Sequence, residues 1–330
     1  MSLAPERRRQ LQQLGLRALV KRRYGEPAVA GARVVRFFGG VALVTTAVDG
    51  PPMAAVFADE PTGLGAAIDT AHREGAERLL FFAELNDGAV ARRASQFRID
   101  TTVIDPEGDM QAIAPAPPAP VSQPPDMTWA VVQFAEAGLD PVWEHGVLLG
   151  EWLGLEVARA TPDQTFVELG VGKHDREANR LLHPDGPGPG DFAEARRTVA
   201  ELRLGSARPH PINQLVPERW LRSVLVHHPD LVGLRGIDPA PPPAVRDDLR
   251  RRGVAPGIGD DGTIVVCSVG VDPDLVPQAA DARLHLGADR RLMIVVPEGD
   301  DHQLTHRLAG LLQRPAEVTT VPATWRALLG

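Results

Sequence analysis

Residues 114–125 read APAPPAPVSQPP, and this run constrains the fold more than any other feature. Proline fixes φ and lacks an N–H donor, so such a run enters neither a helix interior nor a central strand. It predicts a semi-rigid extended connector with a separate core on each side. The 330 residues suffice for about two domains of roughly 150 residues each. Hydrophobic residues make up 43% and charged residues 24%, a globular balance that excludes a wholly disordered or fibrous chain. No apolar run reaches the ~18 residues of a membrane span. The start, MSLAPERRRQ, has no apolar core of a secretory leader. A single cysteine, Cys267, excludes an intrachain disulfide framework and a multi-cysteine zinc site. The expected location is cytoplasmic.

Before the connector, residues 1–113 read as one α/β domain. Residues 5–24 form a basic helix with Leu11, Leu14, Ala18 and Leu19 near one face. Three β-rich runs follow at Ala32–Phe38, Val41–Val48 and Met53–Ala58. A helix over Gly63–Glu74, a buried strand at Arg78–Ala83, a helix over Asn86–Phe97 and a strand at Thr101–Asp105 complete the order α-β-β-β-α-β-α-β.

The connector, taken as 114–127, leads to a second domain over 128–330. There the order begins again, with a helix at Thr128–Gly138 and strands at Val142–Leu148, Leu153–Ala160 and Thr165–Val171. The closing segments also match. Arg291–Val296 (RLMIVV) precedes acidic residues, a helix with His306–Arg307, and Val318–Val321 (VTTV). Arg78–Ala83 (RLLFFA) precedes Glu84 and Asp87, a helix with Arg92–Arg93, and Thr101–Ile104 (TTVI). The reading is an α/β protein of two domains from an internally duplicated αβββ-αβ unit, with mixed sheets flanked by helices. The second copy carries an insertion at about 174–260, with helices at Phe192–Arg203 and Pro217–Val226. Thr263–Gly270 is then a buried strand, with Cys267 an inert core thiol, and Asp272–Leu286 a helix.

The net charge of −8 is unevenly spread. The basic N-terminal helix could contact phosphate or an anionic surface, and the stretch Arg208–Arg222 (RPHPINQLVPERWLR) combines arginine with Trp220 in the manner of phosphate and base contacts. They are the two places where nucleic acid is expected to bind, against the ordinary alternative that both pack on the protein.

The densest chemistry lies in Gly154–Arg176, GLEVARATPDQTFVELGVGKHDR. Leu153, Leu155 and Val157 alternate on one strand; Val167, Leu169 and Val171 alternate on the next. If these apolar residues share the core face, Glu156 and Glu168 lie together on the other. Their neighbours Gly154, Ala158, Gly170 and Gly172 are small and leave room beside them. Two close carboxylates need a cation or a shared proton. Oxygen ligands with an open position suit Mg²⁺ or Mn²⁺, with Glu144 and His145 able to complete the shell and Lys173 to support charge on a phosphoryl oxygen. The ordinary alternative is a solvated sheet face.

The order αβββ-αβ with an acid on each of two neighbouring strands resembles the restriction-endonuclease-like superfamily. That resemblance implies divalent-metal-dependent phosphodiester hydrolysis, with Glu156 and Glu168 as metal ligands and Lys173 as catalytic support. The family lysine would fall at Gly170, so the pattern is incomplete. The first copy has no matching acids and would be a structural partner. A second reading is a non-catalytic scaffold or interaction protein. A third rests on Phe166–His174 (FVELGVGKH), which resembles the glycine turn of class I methyltransferases and implies adenosylmethionine binding.

Overall fold

The computed structural model describes residues 5–37, 39–46, 51–58, 63–83, 88–107, 110–121, 125–205, 210–245 and 248–329. The chain forms two compact units. Unit 1 comprises Met1–Pro118, Asp272–Asp281 and His302–Ala316, and unit 2 the remainder.

Unit 1 begins with α1 (Pro5–Tyr24) and α2 (Pro27–Ala30), followed by β1 (Arg33–Phe37), β2 (Gly40–Thr45) and β3 (Met53–Ala58). α3 (Leu64–Arg73), β4 (Arg78–Phe82), α4 (Gly88–Ala94) and β5 (Asp100–Ile104) complete its first segment. The strands lie in the order β1-β2-β3-β4-β5. The first two pairings are antiparallel and the last two parallel. Parallel neighbours need crossovers, and α3 and α4 supply them. β2 and β3 are central, so their runs are apolar throughout rather than alternating. α1 buries Leu16 and Val20, four residues apart, against this sheet. The expected face is therefore rotated, and Leu11 and Leu14 are exposed.

The proline-rich segment starts as part of unit 1. Ile113 N–H donates to Val103 O at 2.8 Å, and Ala116 N–H to Gly88 O at 2.9 Å. Arg92 Nη1 donates to the carbonyls of Ala116 and Pro117, each at 3.0 Å. Up to Pro118 the segment is a fastened strap, and the boundary falls after it.

Unit 2 opens with α5 (Thr128–Glu136), then β6 (Asp140–Glu144), β7 (Val147–Trp152), β8 (Leu155–Ala160) and β9 (Glu168–Leu169). These form a four-stranded sheet, antiparallel throughout. The stretch expected to be one strand, Val142–Leu148, is instead a hairpin turning at His145–Gly146, with φ of +46° and +87°. Positive φ at both central residues is the tight turn that suits strand twist. α6 (Lys173–Leu182), α7 (Pro189–Leu204) and α8 (Pro217–His227) follow. Phe134 of α5 and Phe192 and Val199 of α7 share a core with Leu148, Val157 and Leu169 of the sheet.

A third sheet is built from β10 (Ile237–Pro239), β11 (Ala255–Gly259), β12 (Ile264–Cys267), β13 (Leu292–Pro297) and β14 (Glu317–Val321), with α9 (Leu275–Gly287) and α10 (Gln303–Leu311) preceding the last two strands in the chain. Its order is β10-β11-β12-β13-β14, with two antiparallel pairings and then two parallel ones. α8 packs on it through Trp220, Leu221, Val224 and Leu225.

The second α-β-β-β-α-β-α-β order is thus α8 to β14. The three strands assigned to it from sequence belong to the separate antiparallel sheet. The segment 174–260 is not an insertion: it contains α8, β10 and β11. β10 and β11 escaped notice because IDP and APGIG are rich in the proline and glycine that strands normally avoid. Glu84 and Asp87, used in matching the closing segments, lie outside the described residues.

Within unit 1 the helices make exchanged pairs. Arg92 of α4 holds Asp281 of α9 through Nε–Oδ1 at 2.6 Å and Nη2–Oδ2 at 3.1 Å. Arg307 of α10 holds Asp69 of α3 through Nε–Oδ1 at 2.8 Å. After α4 and α10 the chain pairs antiparallel at Phe97 and Leu312. Arg98 N–H donates to Leu311 O at 2.9 Å, and Gln313 N–H to Gln96 O at 2.8 Å.

Candidate functional site

Glu156 and Glu168 do share a sheet face, but a bulge brings this about. Gly150 pairs with Ala158 and Glu151 with Glu156, so Val157 is the extra residue on β8. Arg159 stands opposite Glu168. Strict alternation would set Glu156 and Arg159 on opposite faces; the bulge resets it. Arg159 then grips Glu156 with both arms of its guanidinium, Nε to Oε1 at 2.6 Å and Nη2 to Oε2 at 3.0 Å. Arg176 of α6 adds Nη1 to Oε1 at 2.8 Å. The hydrogen bond with Glu156 raises the Arg159 pKa; burial lowers that of Arg176, which Glu156 partly offsets. Arg180 lies 3.5 Å from Glu168.

The cation that two neighbouring carboxylates demand is therefore arginine. Arg159 and Arg176 are the residues the sequence reading missed. Nothing in the local pattern singles out Arg176, because it reaches Glu156 of β8 only once the turn at Gly170–Gly172 sets α6 against β9. Lys173 opens α6 with its side chain 80% exposed, 3.8 Å from Glu177. Two of the small residues are packed tightly, while Gly172 has open space beside it and lines a cleft. A Cβ at Gly154 would lie 2.1 Å from Trp220 N, and one at Gly170 would lie 2.7 Å from Arg176 N.

Glu144 belongs to a second group. With Glu151 of β7 it meets Arg219 and Arg222 of α8. Arg219 donates to Glu144 at 2.6 Å and to Glu151 at 3.1 Å, and Arg222 donates to Glu151 at 2.9 Å. Burial raises the Glu151 pKa, and the two arginines oppose that shift. For Arg222, burial works against the charge, but Glu151 and Glu144 more than offset it. Such a buried quartet is retained only when every charge is matched.

These carboxylates do not fit a divalent ion, because Glu144, Glu156 and Glu168 each face guanidinium groups. Among the described residues no group of three or more His, Cys, Asp or Glu is disposed to hold a metal. The acids also lie on the all-antiparallel sheet, outside the αβββ-αβ order in which the endonuclease resemblance sets them. The glycine turn at Gly170–Gly172 is braced from within and ends a strand at the sheet edge. Asp175 Oδ2 accepts from Val171 N–H at 2.7 Å within it, and β9 pairs only with β8.

The stretch expected to grip nucleic acid is interior at Val216, Glu218, Trp220, Leu221 and Arg222 and exposed at His210 and Gln214. Trp220 is buried, edge-on to Trp325 at 5.4 Å, with the Arg203 guanidinium 4.6 Å from its ring centre. Arg219 and Arg222 are spent on Glu144 and Glu151, so none of these side chains is free to stack on a base. Arg208 lies outside the described residues. In α1, Arg23 Nη1 donates to Met110 O at 2.6 Å. No helix among the described residues is long and apolar enough to cross a membrane.

What the two charge groups frame is a cleft of about 510 Å³ in unit 2. Its walls are apolar, from Leu149, Leu155, Val171, Leu215, Val245 and Leu249. Arg159, Arg176 and Arg219 face it together with Glu144 and Glu156. Val216, also in the wall, has φ +39° and ψ +51° just before Pro217. A β-branched residue is strained there, and such strain concentrates where a site must be held in shape. No family model, curated protein or solved structure matches the chain.

Proposed function

We propose that this chain is a non-catalytic binding protein, built on a duplicated α-β-β-β-α-β-α-β unit, whose recognition surface is the charged face of the β6–β9 sheet. The observation that carries this reading is the engagement of Glu156 by two guanidiniums. A divalent ion would have to displace Arg159 and Arg176 and leave both charged, half-buried groups beside a dication. That is a steep electrostatic penalty in a partly dry site.

The duplication is supported by the identical strand order and pairing senses of the two five-stranded sheets. It is supported too by the exchanged pairs Arg92–Asp281 and Arg307–Asp69. An alignment of RLLFFA with RLMIVV matches α3 to α9 and α4 to α10. Each pair then joins the first crossover helix of one copy to the second crossover helix of the other.

Calorimetric titration of Mn²⁺ into the full chain, beside a Glu156→Ala/Glu168→Ala variant, tests the reading. No stoichiometric binding is expected in either. Stoichiometric Mn²⁺ uptake that disappears in the variant would overturn it and restore metal-dependent phosphodiester hydrolysis as the function.

A further inference from the structure

The cleft has the size and make-up of a small-molecule site, a few hundred Å³ with apolar walls and few polar groups. Its charges are not balanced. Arg219 is matched by Glu144 and Glu151, which also engage Arg222, so that group is neutral. Glu156 is shared by Arg159 and Arg176. Arg159 takes both of its oxygens, whereas Arg176 reaches it through Nη1 alone. Among the groups that line the cleft, Arg159 and Arg176 thus stand against one carboxylate, beside Leu155 and Val171, while Glu168 and Asp175 act on Arg176 from outside the lining. Burial already lowers the Arg176 pKa, so an anion there gains more than it would at an exposed arginine. At the mouth, Val245 is 67% exposed and Leu249 is also exposed. Two large apolar side chains thus face solvent on the rim of an apolar cleft.

We infer that this cleft binds a small amphipathic carboxylate, with its apolar chain along Leu149, Leu155 and Val245 and its head on Arg176. The inference rests on the binding reading above, in which arginines rather than a metal engage Glu156.

The test is calorimetry on the full chain with decanoate, decanol and decylamine, all below their aggregation concentrations. These share one apolar chain and differ in head charge. Decanoate is expected to bind one per chain, about tenfold tighter than decanol, with decylamine weakest. Arg176→Gln should reduce decanoate affinity about tenfold and leave decanol unchanged. Val245→Glu provides a second variant at an exposed position. It should weaken decanoate more than decanol, with the thermal midpoint unaltered. Equal binding of decanoate and decanol, tighter binding of decylamine, or no saturable binding of any of the three would overturn the inference. Loss of decanoate binding without Mn²⁺ uptake removes this ligand class alone, whereas Mn²⁺ uptake removes the reading beneath it.

Discussion

One carboxylate, Asp140, ties the first strand of the four-stranded sheet to α8. Ser223 Oγ donates to its Oδ2 at 2.7 Å, and His227 Nε2 lies 2.9 Å from its Oδ1. The hydrogen bond to Asp140 raises the His227 pKa above 6.5, with burial opposing and the charge of Asp140 assisting. Its folded pKa therefore exceeds its unfolded one. The stabilisation is fully present below pH 6.5 and is lost as pH rises through the folded value. NMR titration should show the His227 ring deprotonating above 6.5. The urea midpoint of the native chain should fall over that window relative to His227→Asn, and parallel curves would refute the coupling. Residues of this kind are recognisable in sequence as polar, but their partners are not. Asp140 and His227 are 87 positions apart. Arg176 reads as a surface charge until α6 folds back. Cys267 is the opposite case: its apolar strand already marks it as interior, and burial pushes its thiol up to about 12.

Helices and strands were legible where the period was clear. β3, β4, α8 and α10 lie where their patterns put them. The hairpin at His145–Gly146 and the strands β10 and β11 were not legible, because glycine and proline there serve turns and close packing. Gly65, in the first turn of α3, shows what such packing demands. Its N–H donates to Asp274 Oδ1 at 2.8 Å, and a Cβ would come within 1.8 Å of Pro273 O. Burial, the larger influence, pushes the Asp274 pKa up to about 7 despite that hydrogen bond. Alanine favours a helix by only about 1 kcal/mol over glycine. Gly65→Ala should nevertheless destabilise unit 1 by about 3 kcal/mol, since backbone must move. Gly15→Ala in α1, where nothing lies within 4 Å, should be neutral or stabilising. Urea denaturation of the two variants checks the contrast.

At the scale of the whole molecule, the break between the two units falls within the proline-rich run, but the units are not consecutive stretches of chain. Unit 1 takes Asp272–Asp281 and His302–Ala316 from far along the chain. A fragment of residues 1–113 would lack both segments, leaving Arg92 without Asp281 and Asp69 without Arg307. It is expected to melt without a cooperative transition. A full chain nicked after residue 118 should keep its melting transition, because the missing segments remain bound. Calorimetric melting of both species decides the matter. Local pattern alone determined the α/β class, most of the elements and a proline-rich run within which the break between the two units falls. Backbone propensity and hydrophobic period act over a few residues, so one chain suffices to read them. The tertiary structure decided which strands share a sheet, where the second α-β-β-β-α-β-α-β order begins, and which cation answers Glu156. Those outcomes depend on charges and side-chain volumes meeting across tens to hundreds of positions, where burial fixes the partner and sequence distance carries no information.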